Sequence, residues 1–196
     1  MTRGRLIAFE GIDGAGKTTQ AKRLVDRIRA AGRTARYTKE PTDGPHGAAL
    51  RASATTGRLE PEQELALFLA DRREHVRDEL EPALDRGEIV VVDRYYLSTA
   101  AYQGARGLDP SAILRDNEAF APIPDLCVLL DLDPAVGVGR VRRRDTAENL
   151  FEREEDLRRC RAVFLGLDRP WIRRFDATLP IDALAAAIDE AVRPLL

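Results

Sequence analysis

Gly11-Ile12-Asp13-Gly14-Ala15-Gly16-Lys17-Thr18, set between an apolar run at residues 6–9 and a segment of helical periodicity at 17–31, decides the fold class. The octet satisfies G-x4-G-K-[ST] in a strand–turn–helix context, which is the context that gives this motif its meaning. Glycines let the backbone curl until several N–H groups point inward, and the following helix adds its positive end, so the turn becomes a cradle for phosphate oxygens. Lys17 then reaches the β and γ phosphates of a nucleoside triphosphate and Thr18 ligates Mg²⁺. Gly11, Ile12, Asp13, Gly14, Ala15, Gly16 and Thr19 complete the expected ATP-binding set. Lysine occurs only at 17, 22 and 39, all other basic side chains being arginine, so a lysine at the motif's one lysine position is not compositional noise.

On either side of that turn the pattern alternates between strand and helix. The helix at 17–31 carries Ala21, Leu24, Val25 and Ile28 on one face and stops at Gly32. A weaker strand follows at 34–39. Residues 61–85 predict one long helix, with Pro61 in its first turn and a buried stripe of Leu65, Phe68, Leu69, Val76, Leu80 and Leu84. Residues 89–92, 125–130 and 172–175 read as strands, residues 134–149 as an arginine-rich helix and loop, and 181–192 as a closing helix. Continuous apolar strands separated by helices predict a three-layer α/β/α P-loop NTPase fold with a parallel sheet of about five strands. One domain over 1–196, with a small lid near 141–153, is the expected organisation.

Composition narrows the partners. The 196 residues are 44% hydrophobic and carry a formal net charge of −2, enough for a sizeable core and without a global basic field for nucleic acid. The short apolar run at 6–9 is far from a signal peptide or a membrane span, so a cytoplasmic location and no membrane partner are expected. Cys127 and Cys160 lack ligand-like spacing and read as buried, reduced thiols, and His46 and His75 as surface residues.

Residues 89–94, Ile-Val-Val-Val-Asp-Arg, end a buried strand on an acid. Asp93 is thereby the second candidate for Mg²⁺, and Arg94 a phosphate clamp. Buried strands often end in a charge, so this reading leans on the glycine-rich octet.

Beyond these elements the chain resembles the thymidylate kinase family. FEGIDGAGKTTQAKRL, TKEP, LFLADRREHV, DRYYLSTAAYQG followed by GLDP, and PDLCVLLDLDP look like thymidylate kinase segments in that family's order, covering roughly residues 5–178. The resemblance implies transfer of the γ-phosphoryl group of ATP to dTMP. It implies that Arg94 and Arg51 bind the dTMP phosphate, Phe68 stacks on thymine, Arg72 donates to its O4, Thr99 lies near the base edge, and Ser98 and Gln103 belong to the dTMP-binding set. Tyr102 would sit under the sugar where a 2′-hydroxyl would clash, Asp13 would accept from the 3′-hydroxyl, and Glu40 would support the acceptor side. Phe68 and Tyr102 also admit a plain packing role.

No basic residue occupies the variable positions of the octet, so the resemblance is to members that supply arginines from a lid. Arg140, Arg142, Arg143, Arg144 and Arg153 are the candidates, with Arg144 and Arg153 expected to be catalytic beside Lys17 and Arg94. Leu150 stands where many members carry arginine, and TKEPTDGPHG replaces the more usual REPGG. A homodimer is expected from the resemblance alone. Two other readings remain at this point: a P-loop kinase for another nucleotide or a deoxynucleoside, and a nucleotide-binding module without catalysis.

Overall fold

The computed structural model describes residues 3–142 and 150–196. Five strands, β1 (Arg5–Glu10), β2 (Ala35–Lys39), β3 (Ile89–Asp93), β4 (Leu126–Asp131) and β5 (Ile172–Asp176), form one sheet in the order β2-β3-β1-β4-β5. All four pairings are parallel. Val, Ile and Leu fill β1, β3 and β4 because these strands are covered on both faces, and their side chains are almost wholly buried. The expected three-layer arrangement is therefore present.

Register aligns the functional ends. Phe9 pairs with Asp93, and Glu10 with Leu129, so the chain leaves β1 beside the acid that ends β3. Strand order reverses direction at β1, and a parallel sheet opens a crevice at the carboxyl ends of its strands at such a point. Helix α1 (Lys17–Ala30) starts there and packs its buried Ala21, Leu24, Val25 and Ile28 over the sheet and against α9 (Ile181–Val192).

The expected single stripe over 61–85 is corrected. The segment is built as α3 (Pro61–His75), a π-helical turn (Val76–Leu80) and α4 (Glu81–Asp85). Only its second half buries apolar residues as expected, with Val76, Leu80, Ala83 and Leu84 in the core. In α3 the buried positions are Glu64, Asp71, Arg72 and His75, whereas Leu65, Phe68 and Leu69 are half-buried. This helix turns a polar face inward because partners on other elements satisfy each charge. His75, expected at the surface, is buried on that face.

Among the described residues five further α-helices are α2 (Pro45–Thr56), α5 (Tyr96–Gly104), α6 (Pro110–Glu118), α8 (Leu150–Gly166) and α7 (Pro134–Arg142), the last inside the expected arginine-rich stretch, and a 3-10 turn at Arg193–Leu195 follows α9. Cys127 and Cys160 are buried and free. Among the described residues no helix is long and apolar enough to cross a membrane.

Candidate active site

The glycine-rich turn runs from Gly11 to α1. Gly11 has φ 135°, and a Cβ there would lie 2.4 Å from the Leu130 carbonyl, so no other residue fits between β1 and β4. Gly16, the N-cap of α1, is left-handed at φ 92°, and a Cβ there would meet nothing within 4 Å. Its conformation, not crowding, demands glycine, and the loop borders open space. That space is a cavity of about 410 Å³ lined by Asp13, Gly14, Ala15, Gly16, Lys17, Thr18 and Thr19 together with Asp93, Arg94 and Arg140. Gly11 and Ile12 do not line it. Ile12 is buried in the core and presents its carbonyl, which accepts from Lys17 Nζ at 2.8 Å.

Lys17 is buried, and desolvation first, then the charge of Arg94, push its pKa down to about 7. Bound phosphates would reverse that, since an anion beside the ammonium favours its charged form. Thr18 Oγ1 donates to Asp93 Oδ2, and Tyr37 Oη donates to the same oxygen at 3.2 Å. Asp93 Oδ1 is buried and has no hydrogen-bond partner among the described residues. A hydroxyl beside a carboxylate with one unused oxygen fits Mg²⁺. Among the described residues no cluster of three or more His, Cys, Asp or Glu could enclose a metal, and Mg²⁺ commonly takes its other ligands from phosphate and water.

Arg94 follows Asp93 in the left-handed region at φ 66°, an uncommon conformation for a non-glycine residue. The turn swings its guanidinium to Asp13 Oδ1 and to a position 5.3 Å from the centroid of the Tyr102 ring. Neighbouring Asp13 and Asp93 keep it charged despite burial. Arg94 lines both the nucleotide cavity and a second cavity of about 180 Å³.

That second cavity is the polar face of α3 closed against α5. Glu40, Phe68, Arg72, Ser98, Thr99, Tyr102 and Gln103, all expected on the acceptor side, line it together with Pro41, Arg58 and Tyr95. Arg72 is 1% exposed and spends four hydrogen bonds on protein. Nε and Nη2 go to Glu40 Oε2, Nη1 to Asn117 Oδ1 at 2.6 Å, and Nη2 also to Thr99 Oγ1 at 3.0 Å. A guanidinium has five N–H donors, so one Nη1 hydrogen remains for a ligand. Glu40 Oε1 accepts in turn from His75 Nδ1 at 2.9 Å, and Thr38 Oγ1 lies 2.8 Å from His75 Nε2. Burial by itself would raise the Glu40 pKa, but Arg72 and His75 hold it below the ordinary carboxylate range. Burial would lower that of His75, yet Glu40 and Glu79 push it up to about 9.

Arg51 is not in this cavity. It donates to the Pro41 and Thr42 carbonyls, at 3.2 and 2.7 Å, and stands at the rim of a wider cleft of about 660 Å³ between α2 and α8. Arg140 donates to the Gly14 and Ala177 carbonyls, tying the loop to the β5–α9 connection. Arg143 and Arg144 lie outside the described residues, as do the side chains of Arg142 and Arg153.

Sequence reading misses Arg58, Tyr37, Asn117 and the hub carboxylate Glu64, which binds Arg58, Arg106 and Gln103 together. No local signal singles out Glu64, which stands just before the unbroken apolar run at 65–70.

A phosphate cradle, a metal-ready acid and a cation shared between two adjoining cavities define a P-loop kinase. The chain matches the profile of the thymidylate kinase family over residues 9–188. It is 52% identical to the thymidylate kinase of Xanthomonas campestris pv. campestris (strain B100) over 181 residues, covering 92% of this chain and 79% of that protein. It is 49% identical to the thymidylate kinase of Xylella fastidiosa (strain M12) over 184 residues, 94% of this chain and 84% of that protein. The chain belongs to the thymidylate kinase family.

Proposed function

We infer that the chain transfers the γ-phosphoryl group of ATP to dTMP, giving ADP and dTDP, a step toward dTTP. The observation that carries this reading is Arg94, whose guanidinium faces the nucleotide cavity and the acceptor cavity at once. In phosphoryl transfer the protein's work is alignment and charge neutralisation, and a cation at the junction can touch the acceptor phosphate while it faces the moving group.

On the donor side, Lys17 and the loop amides neutralise the phosphates. Leu179 and Ile181, 40% and 55% exposed beside the cavity, offer an apolar surface for the adenine ring. Thr18 and Asp93 would hold Mg²⁺, which when bound supplies charge neutralisation on the β and γ oxygens. On the acceptor side, Phe68 stacks on thymine, the remaining Arg72 hydrogen meets the base edge near Thr99, and the Tyr102 ring excludes a 2′-hydroxyl. Asp13 meets the 3′-hydroxyl, with Ser98, Gln103 and Glu40 as supports. Arg51 joins at the phosphate end from the rim of the cleft. Arg144 and Arg153, which the resemblance assigns to a lid at 141–153 and whose side chains lie outside the described residues, complete the neutralisation. A homodimer and a cytoplasmic site of action accompany this reading, and light scattering tests the dimer.

ADP release measured across dTMP, dUMP, dCMP, dGMP, AMP and thymidine tests the acceptor. dTMP should give the highest kcat/KM. Turnover of thymidine without turnover of dTMP would overturn the reading.

A further inference from the structure

Strand β1 ends on Glu10, one residue before the phosphate loop, and this carboxylate is fully buried. Its Oε1 accepts from the backbone N–H of Tyr95 at 2.9 Å and of Ser98 at 3.0 Å, and Ser98 Oγ donates to Oε2. Tyr95 is the N-cap of α5 and its own side chain caps nothing. Glu10 therefore caps α5 from another strand, satisfying amides that a helix start leaves open and placing a negative charge at the positive end of the helix.

The same strand end holds Arg94. Its N–H donates to the Phe9 carbonyl at 2.9 Å, the residue before Glu10. Two adjacent residues of β1 thus grip three points, Arg94, Tyr95 and Ser98, at the start of the helix that carries Thr99, Tyr102 and Gln103 into the acceptor cavity. From Glu10 the backbone passes directly into Gly11. We propose that Glu10 is a positioning residue for phosphoryl transfer: its buried carboxylate fixes α5 and Arg94 against the phosphate loop, setting one separation between acceptor and donor. This rests on the dTMP reading above.

A carboxylate is a costly group for that place. Burial pushes its pKa up to about 7, with only the Ser98 hydrogen bonds, the Arg94 charge and the Tyr95 N–H acting the other way. An apolar residue would suit the core better, but it would leave the Tyr95 N–H without its acceptor and the Ser98 N–H with only the Tyr95 carbonyl, 3.1 Å away.

Glu10→Gln and Glu10→Ala in the full chain test the idea by the KM for dTMP, the KM for ATP and kcat. Gln keeps one oxygen for the two amides, so it should retain most activity. Ala should lower kcat/KM for dTMP by about 100-fold, the scale of a 1 Å misplacement, with the KM for ATP within about twofold of wild type. Should the Ala variant not fold, Glu10→Asp replaces it, since a shorter carboxylate must draw α5 inward and lower kcat by about tenfold or more at unchanged ATP KM. Wild-type acceptor kinetics in the Ala or Asp variant would overturn the proposal, as would a rise in the KM for ATP as large as that in the KM for dTMP. If the wild type itself turns over no dTMP, the function reading fails first and is recognised by that control.

Discussion

The donor cavity and the acceptor cavity adjoin at Arg94 but are made in different ways. The donor side is a backbone object: left-handed glycines, a helix start and one ammonium within an eight-residue stretch. The acceptor side is a side-chain object, in which Arg72, Glu40, His75, Thr38, Thr99 and Asn117 come from four elements and the turn after β2 and satisfy one another in the interior. A cradle of amides must accept a highly charged tail whose metal and water move with it. A base pocket must distinguish one ring edge, and held donors do that better than mobile ones because a mismatched partner leaves a buried group unpaired.

The largest expected effect attacks the donor side. Lys17→Ala should reduce kcat by about 10³-fold, as removal of a preorganised charge from a transition state does. Its melting temperature should hold or rise, because the ammonium is already disfavoured where it sits. A variant that loses stability and keeps activity would break the contrast between the two sides.

Arg72→Ala attacks the acceptor side and should do both kinds of damage. It leaves the buried Glu40 carboxylate with the His75 ring alone, which at the scale of broken buried pairs removes about 3 kcal/mol of stability in urea unfolding. The KM for dTMP should rise while that for ATP stays near wild type.

Next in size is a pH effect at His75. Its pKa is raised from 6.5 to about 9 in the fold. A group raised in this direction stabilises fully below pH 6.5 and loses that contribution as pH climbs through 9, on the order of 3 kcal/mol in all. Lys17, lowered from 10.5 to about 7, acts in the opposite sense, its burial becoming less unfavourable as pH rises from 7. Comparing urea midpoints at pH 6.5 and 9 between wild type and His75→Gln isolates the histidine, and the two proteins should show different slopes. Parallel slopes would mean that the ring is not held charged by Glu40 and Glu79.

The smallest effect belongs to Arg51→Ala. Its contacts are exposed and shared with carbonyls and Asp43, so the KM for dTMP should rise no more than about fivefold. A loss as large as that of Arg94→Ala in the same assay would move Arg51 from the rim into the phosphate site itself.

Much of this was legible in one chain. The octet at 11–18, the acid ending β3 and the buried strands follow from local rules, since turn chemistry and strand burial act over a few residues. α9 appears with the expected bounds because its apolar positions recur cleanly. α5 does not announce itself: Tyr95, Tyr96 and Thr99 favour strands, and its burial on nearly every side erases the periodicity. α3 misleads as well. Residues 65–70 are apolar without a break and mark no single face, and the interior takes the face with Glu64, Asp71, Arg72 and His75, a choice that depends on Glu40, Gln103 and Thr42 arriving from elsewhere.

The sequence by itself determined that a triphosphate is cradled on a parallel α/β sheet and, through DRYYLSTAAYQG and its neighbours, which family the chain resembles. Tertiary structure alone decided that Arg94 faces two cavities, that Arg51 stands at the rim, that Glu10 caps a helix from a neighbouring strand, and that His75 lies inside. A loop of amides can be specified within eight consecutive residues because its geometry is carried by φ and ψ. A buried charge has no local specification: burying it is tolerated only where partners distant in sequence meet it, and that meeting exists only in the folded chain.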